Sequence, residues 1–375
     1  MRAAFLSVWA VILCIAFIQA ANGLQTDLIG VRADMAAFLP QTIGWLMAAY
    51  YVGYSAAPLA GRAVIGRIGH VRTVIACAFI AGAIIVAHAF VVTPLAWTGF
   101  RFVSGFALAM VYVALESWIN DKSSNALRGR VFSFYIAIQM VAMTLSQVLL
   151  TEGDPRNAGP FILCGVLFAL AAIPIAMASR NAPASGPPAP VGLLKLFHMS
   201  PLGAITTVLS GVSWAIVFTF GPVFARHSGL PLSGIAWFMG LAMAAGAVSQ
   251  FPLGWLSDVI GRRLTIGLIF GVGIAVSLFG LWTTGRGPEA TLIAAALAGG
   301  SVFPLYAISV AHVNDVAAPQ TRVAVAAGLV LLFGLGSIFG PLLCGWAMTA
   351  MGPQGYYASL AAIMAAGALV AARFR

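Results

Sequence analysis

The sequence predicts an all-α membrane protein in which twelve transmembrane helices form two pseudo-symmetric six-helix bundles. Three observations lead to this prediction: an apolar composition, a series of long apolar segments, and motifs that recur half a chain apart. Of the 375 residues, 61% are hydrophobic and 7% are charged, whereas a soluble domain has about a quarter charged residues. The composition therefore indicates helices that lie mostly in lipid.

Apolar segments of about 20 residues, the length that crosses a bilayer, recur along the whole chain. They cover residues 5–26, 41–61, 73–93, 95–118, 130–151, 159–178, 201–223, 232–254, 264–284, 289–311, 323–346 and 355–372. The first segment follows Arg2 and also has features of a signal peptide. We expect it to be a retained helix, because its removal would leave an odd number of spans and break the repeat.

The distribution of basic residues predicts the orientation in the membrane. Of the 19 Lys and Arg residues, the predicted outer loops contain only Arg32, Arg156, Arg226 and Arg286, and Arg101 lies within the fourth span. All the others fall in segments on the opposite side. Because cytoplasmic loops are enriched in Lys and Arg, both termini are expected in the cytoplasm. The same assignment places Asp27 and Asp34 at the outer end of the first span.

A stretch rich in Pro, Gly and Ser separates the sixth span from the seventh. Such a composition is typical of a linker. We therefore expect an N-terminal bundle over residues 1–178, a cytoplasmic linker over residues 179–200 and a C-terminal bundle over residues 201–375. A short apolar segment, residues 193–197, lies within the linker and is expected at the membrane surface.

A polar, basic turn with the spacing G-x-x-x-D-x-x-G-R-R lies between the eighth and ninth spans. It consists of Gly254, Asp258, Gly261, Arg262 and Arg263. The first glycine permits close approach of a neighbouring helix, the second permits chain reversal, and the arginines favour the cytoplasmic side. Basic turns follow most membrane helices, but that explanation accounts for the arginines and not for the spacing.

Two motifs recur at nearly the same offset along the chain. A degraded copy of the basic turn lies between the second and third spans, where Gly61, Arg67, Gly69 and Arg72 retain its character and Gly66 occupies the acidic position. A second motif, N-D-x6-R, follows the fourth and tenth spans. Its two copies contain Asp121 with Arg128 and Asp315 with Arg322, 194 residues apart. The common offset indicates two parallel repeats.

The basic turn and its partial copy resemble the signature loop of the major facilitator superfamily, which lies between helices two and three and again between helices eight and nine. The resemblance extends over the whole chain. Segments such as Glu116-Ser-Trp-Ile-Asn120 and Pro304-Leu-Tyr306 resemble a largely uncharacterised branch of bacterial inner-membrane permeases. The resemblance implies transport. Because the signature and N-D-x6-R loops are present in both halves, we interpret them as structural or gating parts.

Polar residues without a counterpart in the other repeat are the better candidates for chemistry. Arg101 and Glu116, both in the fourth span, correspond to Ala295 and Val310. Arg101 and Glu116 share one helix face with Gly105, Ala109 and Tyr112, at spacings of three and four residues. A charge in the hydrocarbon region costs several kcal/mol, so this face is expected to line an interior.

Arg101, Glu116 and Asp27 are the candidates for proton coupling. Arg101-x-x-x-Gly105 resembles a helix-four motif associated with proton coupling in many exporters of the superfamily. We expect Glu116 to gain and lose a proton in the cycle. About 22 Å of helix separates Arg101 from Glu116, so each needs a different partner. The alternative is that Arg101 only pairs with Asp27 while Glu116 extends towards the inner surface.

Milder polar and aromatic residues within the spans are candidates for lining a substrate cavity. They are Gln19 and Asn22 in the first span, Tyr112 in the fourth, Tyr135, Gln139 and Ser146 in the fifth, Trp214 in the seventh and Tyr306 in the tenth. For each of them an interhelical hydrogen bond is the alternative role. Amides, hydroxyls and aromatic rings with little charge favour a small neutral or amphipathic solute.

Asp258 is also predicted to form part of an inner gate. Pseudosymmetry places it near the start of the fifth span, where Arg128 and Arg130 lie. We expect the carboxylate and these arginines to form a clasp that holds the outward-facing state and opens as the bundles move. Only this copy of the loop can provide a carboxylate, because the first copy lacks its acid.

Secondary transport is the function that the sequence favours over two other classes. An intramembrane enzyme is not expected, because the chain has no HExxH, no GxSxG and no paired intramembrane aspartates. A non-transporting sensor or binding protein on the same fold is the alternative. We expect no cofactor and no metal, and as partners a small-molecule substrate and the lipid bilayer, with the chain acting as a monomer. The net charge of +10 is spread singly over turns and does not indicate nucleic-acid binding.

Overall fold

A computed structural model describes residues 2–123, 125–178, 192–318 and 321–374. These residues form fourteen α-helices and one π-helical turn. The helices are α1 (Arg2–Met35), α2 (Pro40–Ile68), α3 (His70–Phe90), α4 (Pro94–Lys122), α5 (Asn125–Leu149), α6 (Gly159–Met177), α7 (Leu193–Met199), α8 (Pro201–Ala215), α9 (Gly221–His227), α10 (Leu232–Val259), α11 (Arg262–Thr283), α12 (Pro288–Val316), α13 (Arg322–Met351) and α14 (Gln354–Arg373). Most of the predicted linker, residues 179–191, lies outside the described residues.

Eleven helical segments within the described residues are long and apolar enough to cross a membrane. One of them, Pro201–His227, contains α8, the π-helical turn Ile216–Phe220 and α9. Helix α2 is not among these eleven segments, although its 29 residues are enough to cross a membrane. Its three tyrosines, Tyr50, Tyr51 and Tyr54, make it less apolar, and Tyr50 contacts the polar side chains of Asn22 and Arg101.

Helix α1 is longer than the sequence predicted. The predicted first span ended at residue 26 and left Asp27 and Asp34 in an outer loop, whereas the helix continues to Met35 and Asp27 is 0% exposed within it. The helix continues because Leu28, Ile29 and Val31 follow the polar residues and remain buried. The predicted end of the first span at residue 26 was therefore wrong, because Asp27 is a buried residue within α1.

The described residues divide into two compact units. The first contains the described parts of residues 1–32 and 49–188, and the second contains those of residues 33–48 and 189–375. In the first unit α3 packs against α4 and α6. In the second unit α11 packs against α12 and α14, the helices that the repeat offset relates to α4 and α6. The packing partners within the two units therefore follow the same order.

In each unit, the closest approach of two helix backbones occurs at an equivalent pair of helices. In the first unit a Cβ at Gly105 of α4 would overlap the Tyr50 carbonyl oxygen of α2. In the second unit a Cβ at Gly299 of α12 would overlap the Ala242 carbonyl oxygen of α10. Small residues allow such close packing of membrane helices. Gly105 and Gly299 are 194 residues apart, the offset at which the N-D-x6-R motif recurs.

Helix α7 packs within the second unit. The sequence placed residues 193–197 at the membrane surface, but Leu196 is fully buried in a cluster with Ala204 of α8, Val313 of α12 and Val325 of α13. Leu193 and Phe197 pack against the same cluster. The short helix therefore attaches the end of the linker to the second unit by apolar contacts.

Candidate functional site

Three of the predicted cavity residues form one hydrogen-bonded chain in the first unit. The Tyr112 hydroxyl of α4 donates to Gln19 Oε1 of α1 over 2.8 Å. Gln19 Nε2 in turn donates to Gln139 Oε1 of α5 over 2.9 Å. The chain joins α1, α4 and α5, and Tyr112 and Gln139 are only partly buried. An interhelical role is thus present, and these polar groups also border accessible space.

Asn22 organises a second group of hydrogen bonds, one turn further along α1. Its Oδ1 accepts from Gln25 Nε2 at 3.3 Å and from the Tyr50 hydroxyl at 3.4 Å. Gln25 Oε1 accepts a hydrogen bond from the Ser104 hydroxyl of α4 at 3.2 Å. Sequence reasoning missed Gln25, Tyr50 and Ser104. The spacing of Asn22 and Gln25, three residues on one helix face, is the signal that could have found the first of these.

Arg101 is held against an aromatic ring inside the first unit. Its guanidinium carbon lies 4.3 Å from the centroid of the Tyr50 ring, a distance at which a cation and an aromatic face attract each other. The residue is 1% exposed, and its Nε and Nη1 atoms have no hydrogen-bond partner among the described residues. Tyr50 is therefore the group that stabilises this buried cation.

Asp27 and Arg101 do not pair with each other. Neither carboxylate oxygen of Asp27 has a partner that meets hydrogen-bond geometry among the described residues, although the Gln147 side chain lies beside it. The ion pair that was the alternative explanation for Arg101 is therefore absent from this part of the chain. Both ionisable groups lie within the spans, and neither forms an ion pair with a described residue.

A row of tyrosine rings runs from Arg101 towards Glu116. The Tyr50 and Tyr54 rings of α2 stack with centroids 6.2 Å apart, and the Tyr54 and Tyr112 rings have centroids 6.1 Å apart. Tyr112 lies one helical turn before Glu116 on α4. The predicted stripe on α4 is therefore lined by rings of α2 along its length.

Glu116 is a carboxyl group near the end of α4, one helical turn after Tyr112. The residue is partly buried, and it interacts electrostatically with Tyr112 and with Tyr135 of α5. It forms no ion pair within the described part of the chain. The Tyr135 hydroxyl is buried, and no described group forms a hydrogen bond with it.

Ser146 has a packing role in this structure. Its hydroxyl donates to the Met143 carbonyl of its own helix over 2.7 Å. The side chain is 1% exposed and sits against Gly23 of α1, where a Cβ would overlap it. Gln139, which lies two turns earlier on α5, is partly exposed.

Trp214 and Tyr306 belong to an aromatic cluster of the second unit. The Trp214 ring lies 4.4 Å from the Phe303 ring and 6.0 Å from the Phe333 ring, measured between centroids. The Tyr306 ring meets Phe333 edge-on at 4.8 Å. Both predicted residues are partly exposed. Both rings contact Phe333, so the three side chains form one aromatic surface. The positions equivalent to Arg101 and Glu116 in this unit are Ala295 and Val310.

The signature loop of the second unit is centred on Arg262. The guanidinium forms an ion pair with Asp258 at 2.6 Å, a hydrogen bond to the Ser257 hydroxyl at 2.5 Å and a contact with Asp315 of α12 at 3.4 Å. Gly261, which precedes α11, has a φ of 91°, a conformation that side chains rarely adopt. The loop thus connects the end of α10 to the second N-D-x6-R motif.

The first unit has a weaker version of the same connection. Gly69 precedes α3 with a φ of 82°, as Gly261 precedes α11. His70 follows it as Arg262 follows Gly261, and its Nε2 lies 3.1 Å from the Ser117 hydroxyl. Asp121 forms an ion pair with Lys122 at 3.6 Å and also interacts with His70. Histidine and serine therefore replace the arginine-centred contacts of the second unit.

The remaining gating candidates are mostly surface residues. Gly61 is buried and Gly254 is partly buried, whereas Arg67, Arg72, Arg130 and Arg322 are exposed. Arg263 is partly buried and donates from Nη2 to the Ala371 carbonyl at 3.5 Å. The side chain of Arg128 lies outside the described residues. Asp258, predicted to face Arg128 and Arg130, forms an ion pair with Arg262.

One ion-pair group was missed entirely because its members were assigned to loops. Asp34, at the end of α1, belongs to the second unit by its contacts. Its carboxylate pairs with Arg226 at 2.5 Å and with His227 at 2.6 Å, both at the end of α9. Further along the chain, the backbone N–H of Gln41 donates a hydrogen bond to the Thr349 hydroxyl over 3.0 Å. These contacts anchor residues 33–48 on α9 and α13.

Comparison with known proteins gives consistent matches over nearly the whole chain. The family profile described as Major Facilitator Superfamily matches residues 3–286 and residues 203–375. A protein of Escherichia fergusonii, named Uncharacterized MFS-type transporter YcaD, is 26% identical over 329 residues, which cover 86% of this chain and 83% of the relative.

Two solved structures share the fold. A mutant of the nucleoside transporter NupG superposes with a TM-score of 0.83 at 14% identity, covering 97% of this chain and 99% of that chain. A bacterial homolog of the human lysosomal transporter Spinster, inward-facing and occupied, superposes with a TM-score of 0.80 at 15% identity, covering 97% of each chain. The predicted fold class is thereby confirmed. The profile matches, the repeated loops and the fold agree that the chain belongs to the Major Facilitator Superfamily, a family of multi-pass membrane transporters.

Proposed function

We propose that this protein is a secondary active transporter that moves a small neutral or amphipathic solute across the bacterial inner membrane by alternating access, coupled to protons. The observation that carries the proposal is the asymmetry between the two units. The first unit buries Arg101, Asp27 and a hydrogen-bonded polar network, and the second has an aromatic cluster at the corresponding helices. Such ionisable groups are expensive in lipid and mark transport pathways.

Proton coupling is assigned to the two carboxyl groups of the first unit. Asp27 and Glu116 lie within spans and have no ion-pair partner among the described side chains. A carboxyl group without a fixed counter-ion can change its protonation without breaking an ion pair. Arg101, held by Tyr50, supplies a positive charge that stays in place. We therefore assign Glu116 as the group that gains and loses the proton, and Arg101 as a positioning residue.

The solute site is assigned to the partly exposed polar and aromatic residues. Gln139 and Tyr112 are the candidates of the first unit, where they offer an amide and a hydroxyl. Trp214 and Tyr306 are separate candidates of the second unit, where they offer ring faces. A site of this composition holds a ligand by a few placed hydrogen bonds and by apolar contact. It suits a solute with a polar group and an apolar body.

The inner gate is assigned to the signature loop. The Asp258 side chain is 65% exposed, so it can exchange Arg262 for another cation without a large desolvation cost. We assign Arg128 and Arg130 as that alternative partner in the outward-facing state. The excess of basic residues in the inner segments supports cytoplasmic termini, and one chain contains both units, which supports a monomeric transporter.

The experiment that tests the proposal has two stages. Purified protein is first screened by thermal shift against metabolites and drugs at two pH values, because a bound ligand stabilises the folded state by mass action. Each hit is then tested for flux in proteoliposomes with and without an imposed pH gradient. Flux that depends on the gradient supports transport. Ligands that stabilise the protein but never cross the membrane would instead identify the non-transporting sensor or binding protein.

A further inference from the structure

The carboxylate at the end of α1 is shared by two basic side chains of α9. Arg226 Nε lies 2.5 Å from Asp34 Oδ2, and His227 Nε2 lies 2.6 Å from Asp34 Oδ1. Each oxygen of the carboxylate therefore has its own partner. We call these three side chains the Asp34 latch.

The positions of the three residues at helix ends explain why they attract each other. Asp34 lies one residue before the end of α1, where the helix dipole disfavours a negative charge. Arg226 and His227 are the last two residues of α9, where the dipole favours a positive charge. The carboxylate is therefore stabilised by cations from the neighbouring helix and not by its own.

Of the two bases, His227 is the one whose charge depends on pH near neutrality. Arginine keeps its charge, whereas a histidine side chain changes its charge between about pH 5 and 8. A neutral imidazole can still donate one hydrogen bond to Asp34, but a hydrogen bond between two charged groups is roughly twice as strong. The His227 side chain is 30% exposed, so protons reach it from solution.

The elements around His227 contain no other group that changes its charge in this range. Arg32, two residues before Asp34 on α1, stays positive. Tyr356 and Tyr357 of α14 lie close to Phe224 of α9, and tyrosine stays neutral near pH 7. Residues 35–48, 201–225, 228–257 and 323–372, which include α8, α10 and α14 up to residue 372, contain no charged residue and no histidine.

Helix α9 is fixed in the second unit by contacts that do not depend on pH. The Phe224 ring stacks on Tyr356 with centroids 4.7 Å apart, and it lies 5.7 Å from the Phe238 ring of α10. Phe224 is 1% exposed. A change of charge at His227 is therefore expected to act on the end of α1 and to leave α9 in place.

The end of α1 depends on its local contacts to stay attached to the second unit. The helix belongs to the first unit up to residue 32 and to the second unit from residue 33. In the turn that follows, Ala37 has a φ of 58°, which is uncommon for a residue with a side chain. Such a conformation persists where the surrounding contacts hold it, and the Asp34 latch is one of these contacts.

We propose that the Asp34 latch is a pH-sensitive attachment, in which protonation of His227 strengthens the contact between the end of α1 and α9, and deprotonation weakens it. The inference goes beyond the proposed transport function, because it concerns a regulatory contact and not a solute. In the orientation predicted from the basic residues the latch lies on the outer side, so that external acid strengthens it.

The test measures how fast a buried residue beside the latch becomes accessible. Ala33 is 0% exposed, so Ala33→Cys in the purified full-length protein reacts with a thiol reagent when the end of α1 detaches. Peptide mass spectrometry separates this cysteine from the four native ones. Dividing each rate by that of the denatured protein at the same pH removes the effect of pH on the thiol itself. We expect labelling to be about threefold faster at pH 8 than at pH 6, as for a partly exposed ion pair.

Two substitutions separate the charge of His227 from its hydrogen bond. In the Ala33→Cys background, His227→Gln should label at the faster rate at both pH values, because it can donate a hydrogen bond but has no charge. His227→Arg should label at the slower rate at both. His198→Gln, which removes an exposed histidine of α7, is the control and should keep the pH response.

A pH response that persists in His227→Gln, or equal rates at pH 6 and pH 8 with His227 in place, would overturn the latch. If Ala33→Cys does not fold, hydrogen exchange provides the same comparison in the unmodified chain. Its probes are the Ala37 and Phe38 amides, which donate to the carbonyls of Asp34 and Ala33. Neither measurement requires a solute, so the result is independent of whether the transport proposal stands.

Discussion

The guanidinium of Arg101 lies over the ring of Tyr50, with 4.3 Å between its central carbon and the ring centroid. This contact places a buried cation beside the hydrogen-bond network of Asn22, because the Tyr50 hydroxyl also donates to Asn22. One tyrosine of α2 thus connects the charged residue of α4 with the polar face of α1.

Replacing Tyr50 should destabilise the protein through Arg101. A desolvated cation–π contact contributes about 2 kcal/mol, so Tyr50→Leu should lower the free energy of unfolding by at least that amount and lower the thermal transition in detergent. Tyr50→Phe keeps the ring and loses only the hydrogen bond to Asn22, a loss of about 1 kcal/mol. Equal transitions for the Leu and Phe variants would mean that the ring does not stabilise Arg101.

Adding a methyl group at the close approach of α2 and α4 should also be destabilising. Gly105→Ala places a Cβ against the Tyr50 carbonyl oxygen, and we expect a loss of about 1–3 kcal/mol, measured by thermal unfolding. Gly299→Ala should have a similar effect at the equivalent contact with Ala242. Gly99→Ala on the same helix meets no atom within 4 Å and serves as the control. A loss as large in the control would reject the packing explanation.

Much of the fold was predictable because its signals are local and repeated. Long apolar segments gave the spans, and Gly69 and Gly261 do mark equivalent helix starts with positive φ. Helix ends were less predictable. Asp27 resembled the start of a loop, yet its side chain faces the interior of the first unit while Leu28 and Ile29 continue the buried apolar pattern.

The site was predictable residue by residue but not in its connections. Gln19, Tyr112 and Gln139 were selected as polar residues in apolar helices, and the structure joins them in one chain. The partner of Arg101 was not found, because an aromatic ring that stabilises a cation looks like any other apolar residue in a sequence. Asp34 and Arg226 were passed over since charges near span ends are usually solvated.

Asp34 and Arg226 should show measurable coupling. Their ion pair is about one-third exposed on the arginine side and 13% exposed on the aspartate side, so it is more shielded than a surface pair. A double-mutant cycle with Asp34→Asn and Arg226→Gln, followed by thermal unfolding, should give a coupling energy of about 1 kcal/mol. The coupling should shrink in high salt. Additive effects of the two substitutions would show that the pair contributes no stability.

The gating proposal predicts a change in side-specific accessibility. Asp258→Asn removes the carboxylate that holds the proposed inner clasp, so the population should shift towards the inward-facing state. Cysteine labelling from each side of the membrane measures this shift. Glu289→Gln, at an exposed position near the start of α12 and outside the predicted gating loops, is the comparison variant. Labelling patterns identical to wild type on both sides would count against the clasp.

The most direct test of the account measures solute-dependent proton flux in proteoliposomes that contain either the wild-type protein or Glu116→Gln. The solute is one that stabilises the wild type in the thermal-shift screen, and an internal pH dye reports the protons. We predict that adding the solute drives proton flux with the wild type and that Glu116→Gln abolishes it. Full solute-dependent proton flux in Glu116→Gln would contradict the central claim that this carboxyl group couples transport to protons.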